Sequence, residues 1–214
     1  MSNIYTSRFI ILNDEVTNIC FMKIPYNWVS RKYEYKWAMN FIGSDDICLD
    51  SACGLPHPFK FFLASVATEV YAFDISPNIV DKSYILHSIS KFFDKDDIDK
   101  AEKYIDKINF SVANLISLPY PNNFFTKIFC IGAISNLSNI DLNICIKEFY
   151  RVLKNNGYLI LTTDVPPTNI IKLINSISNN GFSFVGNLDL TKNENIFTTS
   201  LPSCNNCFRL LAKK

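Results

Sequence analysis

The sequence predicts an α/β protein built on a doubly wound sheet of seven strands, the last of them antiparallel. Three observations carry this reading. Five short apolar runs alternate along the chain with stretches of helical period. Asn/Gly stops close two of the helices, at Asn155-Asn156-Gly157 and Asn180-Gly181. Two extended runs, residues 182–190 and 207–213, then end the chain with no helix between them. Parallel neighbours need a crossover and antiparallel ones do not, so the sheet ends in an antiparallel hairpin.

The elements follow in order. Residues 1–25 show no clear period. Residues 27–42 carry Tyr33, Trp37, Ala38, Phe41 and Ile42 at helical spacing, and Gly43 closes that helix. Residues 46–50 are a short buried strand, followed by a Gly/Pro turn and an apolar helix over 59–67. Residues 69–73 form the second strand, ended by Asp74, and Pro77 opens the next helix. Residues 95–107 place Ile98, Ala101, Tyr104 and Ile105 on one face of a charged, solvated helix. Strands follow at 108–112 and 127–131, a helix at 142–153, a buried strand at 158–163 and a last helix at 168–179. One domain is expected, with residues 1–43 as an N-terminal cap segment and helix and 44–214 as the core.

Composition narrows the function. The chain has 214 residues, 48% hydrophobic and 19% charged, which suits one soluble core. A formal charge of +1 lacks the basic excess of a non-specific nucleic-acid binder. No apolar run approaches the roughly 18–20 residues that span a bilayer, and residues 1–12 lack the pattern of a secretory signal. A cytoplasmic protein with no nucleic-acid or membrane partner is expected; oligomeric state is left open. Seven cysteines without a secretion signal do not form a disulfide framework. Cys204 and Cys207 are spaced as C-x-x-C, but neither His57 nor His87 completes a metal set, so no metal is expected.

The strongest chemical feature is Asp50-Ser51-Ala52-Cys53-Gly54-Leu55-Pro56. A strand ends in an acid, and small residues lead into a helix, where a ligand can approach the backbone and amides favour a carboxylate. Asp74 ends the second strand 24 residues after Asp50 and can accept from both hydroxyls of a ribose. In βαβ context the pair indicates an adenosine-type cofactor. G-x-G-x-x-G is absent and the chain ends in a hairpin, which sets a nicotinamide-dependent oxidoreductase aside.

From residue 46 to residue 214 the chain resembles the class I S-adenosylmethionine (SAM)-dependent methyltransferases, particularly the type-11-like group acting on small molecules. Asp50, Ala52 and Gly54 stand where that family has D-x-G-x-G. Tyr71-Ala72-Phe73-Asp74-Ile75-Ser76-Pro77 resembles its ribose motif. Asn114-Leu115-Ile116-Ser117-Leu118-Pro119 resembles its adenine-flanking segment, and Phe129-Cys130-Ile131-Gly132-Ala133 its fourth strand. Glu148-Phe149-Tyr150-Arg151-Val152-Leu153-Lys154 resembles a structural signature. The resemblance implies a Rossmann-like sheet in the order 3-2-1-4-5-7-6 and SAM as cofactor. It places cofactor contacts at Asp50, Ala52, Cys53, Gly54, Asp74, Ile75, Asn114, Leu115 and Cys130.

The departures shape the expected mechanism. Alanine at position 52 permits close approach where φ is negative. Asn114 replaces an aspartate beside adenine and can still accept from an amine. Ser135-Asn136 stands where many relatives carry Glu-His, so a histidine base is missing there. His57, after the glycine turn, is a catalytic candidate or a residue that orders the loop. Asp164 is a substrate contact or the cap of the following helix. Arg31 and Tyr35, within Ser30-Arg31-Lys32-Tyr33-Glu34-Tyr35, cover the cofactor, Arg31 on its carboxylate, or are a surface arginine and a core tyrosine. His87, Trp28 and Trp37 read as surface or packing residues. The expected activity is methyl transfer to a small-molecule or sugar-containing acceptor, mainly by positioning. The alternative is a SAM- or S-adenosylhomocysteine-binding protein that has lost catalysis.

Overall fold

The computed structural model describes residues 4–199 and 205–214. In chain order the strands and helices are β1 (Ser7–Phe9), β2 (Ile19–Cys20), β3 (Met22–Lys23), α1 (Val29–Ala38), β4 (Ile47–Ser51), α2 (Phe59–Val66), β5 (Glu69–Asp74) and α3 (Lys82–Ile89). They continue as α4 (Lys95–Ile105), β6 (Ile108–Val112), β7 (Phe125–Ile131), α5 (Asn139–Val152), β8 (Leu153–Val165), α6 (Ile170–Asn179), β9 (Ser183–Phe184), β10 (Leu188–Asp189) and β11 (Asn206–Lys213). Side-chain caps explain several starts. Asp81, Asp94, Ser138 and Asn169 each accept from a backbone N–H in the first turn of α3, α4, α5 and α6.

Period-two alternation divides the central strands between two apolar layers. Val70 and Ala72 of β5, Phe129 of β7 and Ile160 of β8 pack with Tyr35, Phe59, Leu63, Ile85 and Ala101, on the face covered by α1 to α4. Phe73, Ile128, Cys130, Leu159 and Leu161 pack with Leu142, Cys145, Phe149, Leu173 and Ile177 of α5 and α6 on the other face. Helices on both faces of a mostly parallel sheet make the doubly wound arrangement.

The sheet runs β10-β1-β11-β8-β7-β4-β5-β6, with β9 also on β11. The order β6-β5-β4-β7-β8-β11 is the expected 3-2-1-4-5-7, and β11 is the strand that runs against its neighbours. The sheet has nine strands among the described residues rather than seven, for two reasons. Residues 182–190 are split at Gly186, whose φ is +120°, into β9 against the end of β11 and β10 against β1. A Cβ on Gly186 would meet the carbonyl oxygen of Tyr5 at 2.9 Å, so only glycine lets the N-terminal segment cross there. That segment, without period in the sequence, supplies β1, which pairs Arg8 with Arg209 and Phe9 with Phe208.

Smaller differences are local. The strand expected at 158–163 begins at Leu153, and Asn156, at φ +66°, bends it without ending it. The helix expected from Pro77 is a 3-10 turn, Pro77–Val80, followed by α3. No helix among the described residues is long and apolar enough to cross a membrane. The six described cysteines are buried, and Cys204 lies outside the described residues.

Candidate cofactor and acceptor site

The carboxyl ends of β4, β5, β7 and β8 meet at the centre of the sheet, where open α/β folds hold ligands. The chain leaves β4 through a tight turn that needs left-handed backbone twice, at Ala52 (φ +49°) and at Gly54 (φ +61°). The negative φ under which an alanine at position 52 would permit close approach is therefore not what this turn adopts. Two alternating left-handed residues reverse the strand into α2, and alanine bears that cost here. Asp74, at the end of β5, ties the turn down: its Oδ2 accepts from the Gly54 N–H at 3.0 Å and its Oδ1 from Ser76 N–H at 3.0 Å.

Beneath the turn lies Lys60, fully buried in the first turn of α2. Its ammonium donates to the carbonyls of Gly54 at 2.7 Å and His57 at 2.6 Å. Burial pulls the Lys60 ammonium below its ordinary range, while Cys53, Asp50 and Asp74 act in the opposite sense. Asp50 is 3% exposed, and its Oδ2 is a buried side-chain oxygen with no hydrogen-bond partner. Burial pushes this carboxyl up to about 7, with Lys60 pulling down, Asp74 pushing up and Arg31 pulling down.

Helix α1 covers this end of the sheet. Glu34, 1% exposed, accepts from Thr162 Oγ1 of β8 at 2.7 Å and from the Cys207 thiol of β11 at 3.4 Å. Its other oxygen accepts from Arg31, whose guanidinium lies against Gly132: a Cβ there would stand 2.5 Å from Nη1. Tyr35 stacks on Phe59 at 5.2 Å and shares a hydrogen bond between its Oη and His57 Nδ1 at 3.0 Å. His57 also lies 4.4 Å from the Trp28 ring. Burial, with Arg31 and Lys60 nearby, holds the imidazole down at about 3, so it is neutral at physiological pH.

Two hollows result, and Arg31 and His57 line both. The inner recess, about 120 Å³, is bounded by Asp50, Ala52, Cys53, Gly54 and the Ile131–Gly132–Ala133 segment after β7. The outer cavity, about 510 Å³, is bounded by Trp28, Phe92, Asp164 and Phe197. Asp164 reaches it from the end of β8. The alternative of a helix cap does not apply, since Asn169 caps α6 with its own side chain. Burial and the Glu34 charge raise the Asp164 carboxyl, and Arg31 opposes them.

Comparison with known proteins places this geometry. Residues 49–161 match a methyltransferase domain family model, which is more than half of the chain. The chain belongs to the class I SAM-dependent methyltransferases. Within the chain, 74 residues are 38% identical to the ubiquinone/menaquinone biosynthesis C-methyltransferase UbiE of Pectobacterium atrosepticum, over 34% of this chain and 28% of that protein. This match therefore spans little more than a quarter of the relative. The fold is shared with the YcgJ protein of Bacillus subtilis at TM-score 0.58 and 15% identity, over 83% of this chain and 95% of that one. It is shared with a SAM-dependent methyltransferase of Methanosarcina mazei at TM-score 0.57 and 16% identity, over 83% and 96%.

The cofactor of this family fits the residues present. The orphaned, buried Oδ2 of Asp50 is an acceptor that lacks a donor, which an amino group would supply. Asp74 has lone pairs to spare after its two amide bonds. Ile75 is 70% exposed beyond it, and Asn114 is exposed with its Oδ1 3.3 Å from Ile116 N–H. Leu115 and Cys130 are core side chains, 7% and 0% exposed, so neither side chain lines the recess; Ile131 to Ala133 do. Asn136 sits exposed in a 3-10 turn, and His87 is exposed on α3.

Sequence reasoning missed Lys60 and Glu34. Lys60 left a signal: a lone lysine in the first turn of an apolar helix, where a cation opposes the helix dipole. Glu34 was visible as the acid three residues after Arg31, but its burial was not. The Glu148–Arg151 pair has a positional role. Arg151 donates to the carbonyls of Leu118 (2.9 Å) and Tyr120 (2.7 Å), and Glu148 accepts from Leu118 N–H (2.8 Å), clasping the segment that follows Asn114.

Proposed function

We propose that this chain transfers the methyl group of SAM to a small-molecule acceptor held in the outer cavity, chiefly by positioning. Bound at the strand ends, SAM supplies a methyl group already activated on a sulfonium. Asp50 receives the cofactor's amino group, Arg31 its carboxylate, Asp74 the ribose hydroxyls and Asn114 the adenine amine. The turn through Ala52, Cys53 and Gly54 forms the wall against which the cofactor lies. The segment up to residue 43 serves as a cap: α1 closes the recess, excludes water and brings Arg31 and Tyr35 over it. His57 holds the partition through Tyr35. Its low basicity makes it an orienting group rather than a proton store.

The observation that carries this reading is the shared wall: Arg31 and His57 line both hollows, so a reactive group in one lies next to the other. Sugar-containing and simpler small acceptors are both within the volume of the outer cavity. Calorimetry with SAM and with NAD tests the cofactor. SAM binding with no NAD binding is expected, and the reverse would remove the reading. The neutral His57 and exposed Asn136 favour a second reading, a SAM-binding protein without turnover. Release of S-adenosylhomocysteine across a panel of metabolites separates the two, and persistent absence with tight SAM binding favours the second.

A further inference from the structure

The outer cavity has a distinctive charge pattern. Asp164 is half-buried at the end of β8 and faces the cavity, and its side-chain carboxylate makes no hydrogen bond or ion pair among the described residues. The other ionisable groups facing it are Arg31, which pairs with Glu34 and is assigned above to the carboxylate of SAM, and His57, which is neutral. No second cation lines the cavity among the described residues. A carboxylate or phosphate acceptor would find no unpaired positive charge, and would face Asp164. The apolar part of the wall is aromatic: Trp28, 5.4 Å from Phe92 ring to ring, and Phe197, which is anchored 4.7 Å from Tyr33. A carboxylate beside aromatic faces recognises an organic cation.

Resting on the reading of the outer cavity as the acceptor site, we propose that the acceptor is an amine, its nitrogen held by Asp164 and its apolar body packed on Trp28, Phe92 and Phe197. The amine enters as an ammonium ion paired with Asp164. One proton passes from nitrogen to the Asp164 carboxylate, which frees the nitrogen lone pair. That pair forms the new N–C bond as the C–S bond breaks and its electrons remain on sulfur. The products are a methylated ammonium ion and S-adenosylhomocysteine, and Asp164 then returns its proton to solvent. The pairing also places a positive acceptor near a positive sulfonium only while Asp164 neutralises it.

Binding can be read without turnover. Trp28 and Trp37 are the two tryptophans of the chain, so a Trp37→Phe background makes Trp28 the reporter. The protein, loaded with S-adenosylhomocysteine, is titrated with 2-phenylethylamine and with 2-phenylethanol while Trp28 fluorescence is followed. The amine is expected to bind at least tenfold tighter than the alcohol. Asp164→Asn is expected to bring the two within about twofold, and Asp164→Glu to restore part of the preference. Equal binding, a tighter alcohol, no binding of either, or a preference unchanged in Asp164→Asn overturns the proposal. Failure of the underlying cofactor reading shows separately, as the absence of heat when SAM is titrated into the unaltered protein.

Discussion

The ammonium of Lys60 donates to the carbonyl of Gly54 at 2.7 Å from beneath the turn, while Asp74 holds the N–H of the same glycine at 3.0 Å from above. Gly54 is thus gripped at both ends of its peptide geometry, and the recess wall is rigid before any ligand arrives. Replacing Lys60 by Met leaves the Gly54 and His57 carbonyls without their donor and removes the nearest positive charge from Asp50. The expected cost is about 2–3 kcal/mol, a fall of roughly 5–10 °C in Tm, with SAM affinity at least tenfold weaker. Calorimetry and thermal melts check this; an unchanged Kd for SAM would show that the turn needs no anchor.

Asp50 makes binding depend on pH. Its carboxyl titrates near 7 in the folded protein against 3.8 for the unperturbed group, so between those values the folded state holds the extra proton. Its stabilising contribution is present at low pH and is lost as pH rises toward 7, by about 4 kcal/mol in all. Asp50→Asn is expected to be more stable than the parent at pH 8 and equal to it near pH 4. A cationic amino group needs the ionised form, so SAM affinity of the parent rises as pH climbs to about 7 and then levels. Asp50→Asn is expected to bind weakly with no such slope, and a pH-independent Kd in the parent would contradict the assignment.

His57 contributes with the opposite sign. Its imidazole is held at about 3 against the ordinary 6.5, so the unfolded chain binds the extra proton between those values. Stability from this group is complete above 6.5 and is lost as pH falls toward 3. His57→Gln is expected to flatten that acid limb in urea titrations between pH 4 and 6.5. An unaltered limb would place the loss of stability on other groups.

Ala52 carries a left-handed backbone at φ +49°, which costs an alanine roughly 1–2 kcal/mol. Glycine relieves that cost and adds about 0.5–1 kcal/mol of its own in entropy. Ala52→Gly is therefore expected to raise stability by about 0.5–1 kcal/mol and to leave SAM binding intact. A loss of stability in denaturant titration would mean that the methyl group packs usefully.

Gly132, at φ +66°, is the seat of the Arg31 guanidinium. Gly132→Ala forces a Cβ into that group and strains the backbone at once. About 1–2 kcal/mol of destabilisation is expected, with SAM binding weakened about tenfold as Arg31 shifts. Affinity that survives the substitution would remove Arg31 from the carboxylate role.

Much of the architecture could be read in one dimension because it is encoded locally. The five parallel strands, the helices between them and the acids that end the first two strands rest on periodicity, stop residues and short motifs. The reversed β11 followed from the missing helix between the last two runs. The local pattern therefore carried the doubly wound sheet and its reversed last strand, while the order from β6 to β11 came with the resemblance of the motifs to a known family. What it left undecided depends on contacts between segments far apart. Three residues of β1 find their place only because β11 offers an edge and Gly186 opens a crossing. Lys60 and Glu34 looked like ordinary charges, and only the folded chain buries them, together with Asp50, and sets their partners. Whether Ala52 lies at positive φ, and whether Asp164 caps a helix or faces a cavity, was settled by three-dimensional packing. Burial and charge proximity are sums over the whole fold, and no local pattern contains them.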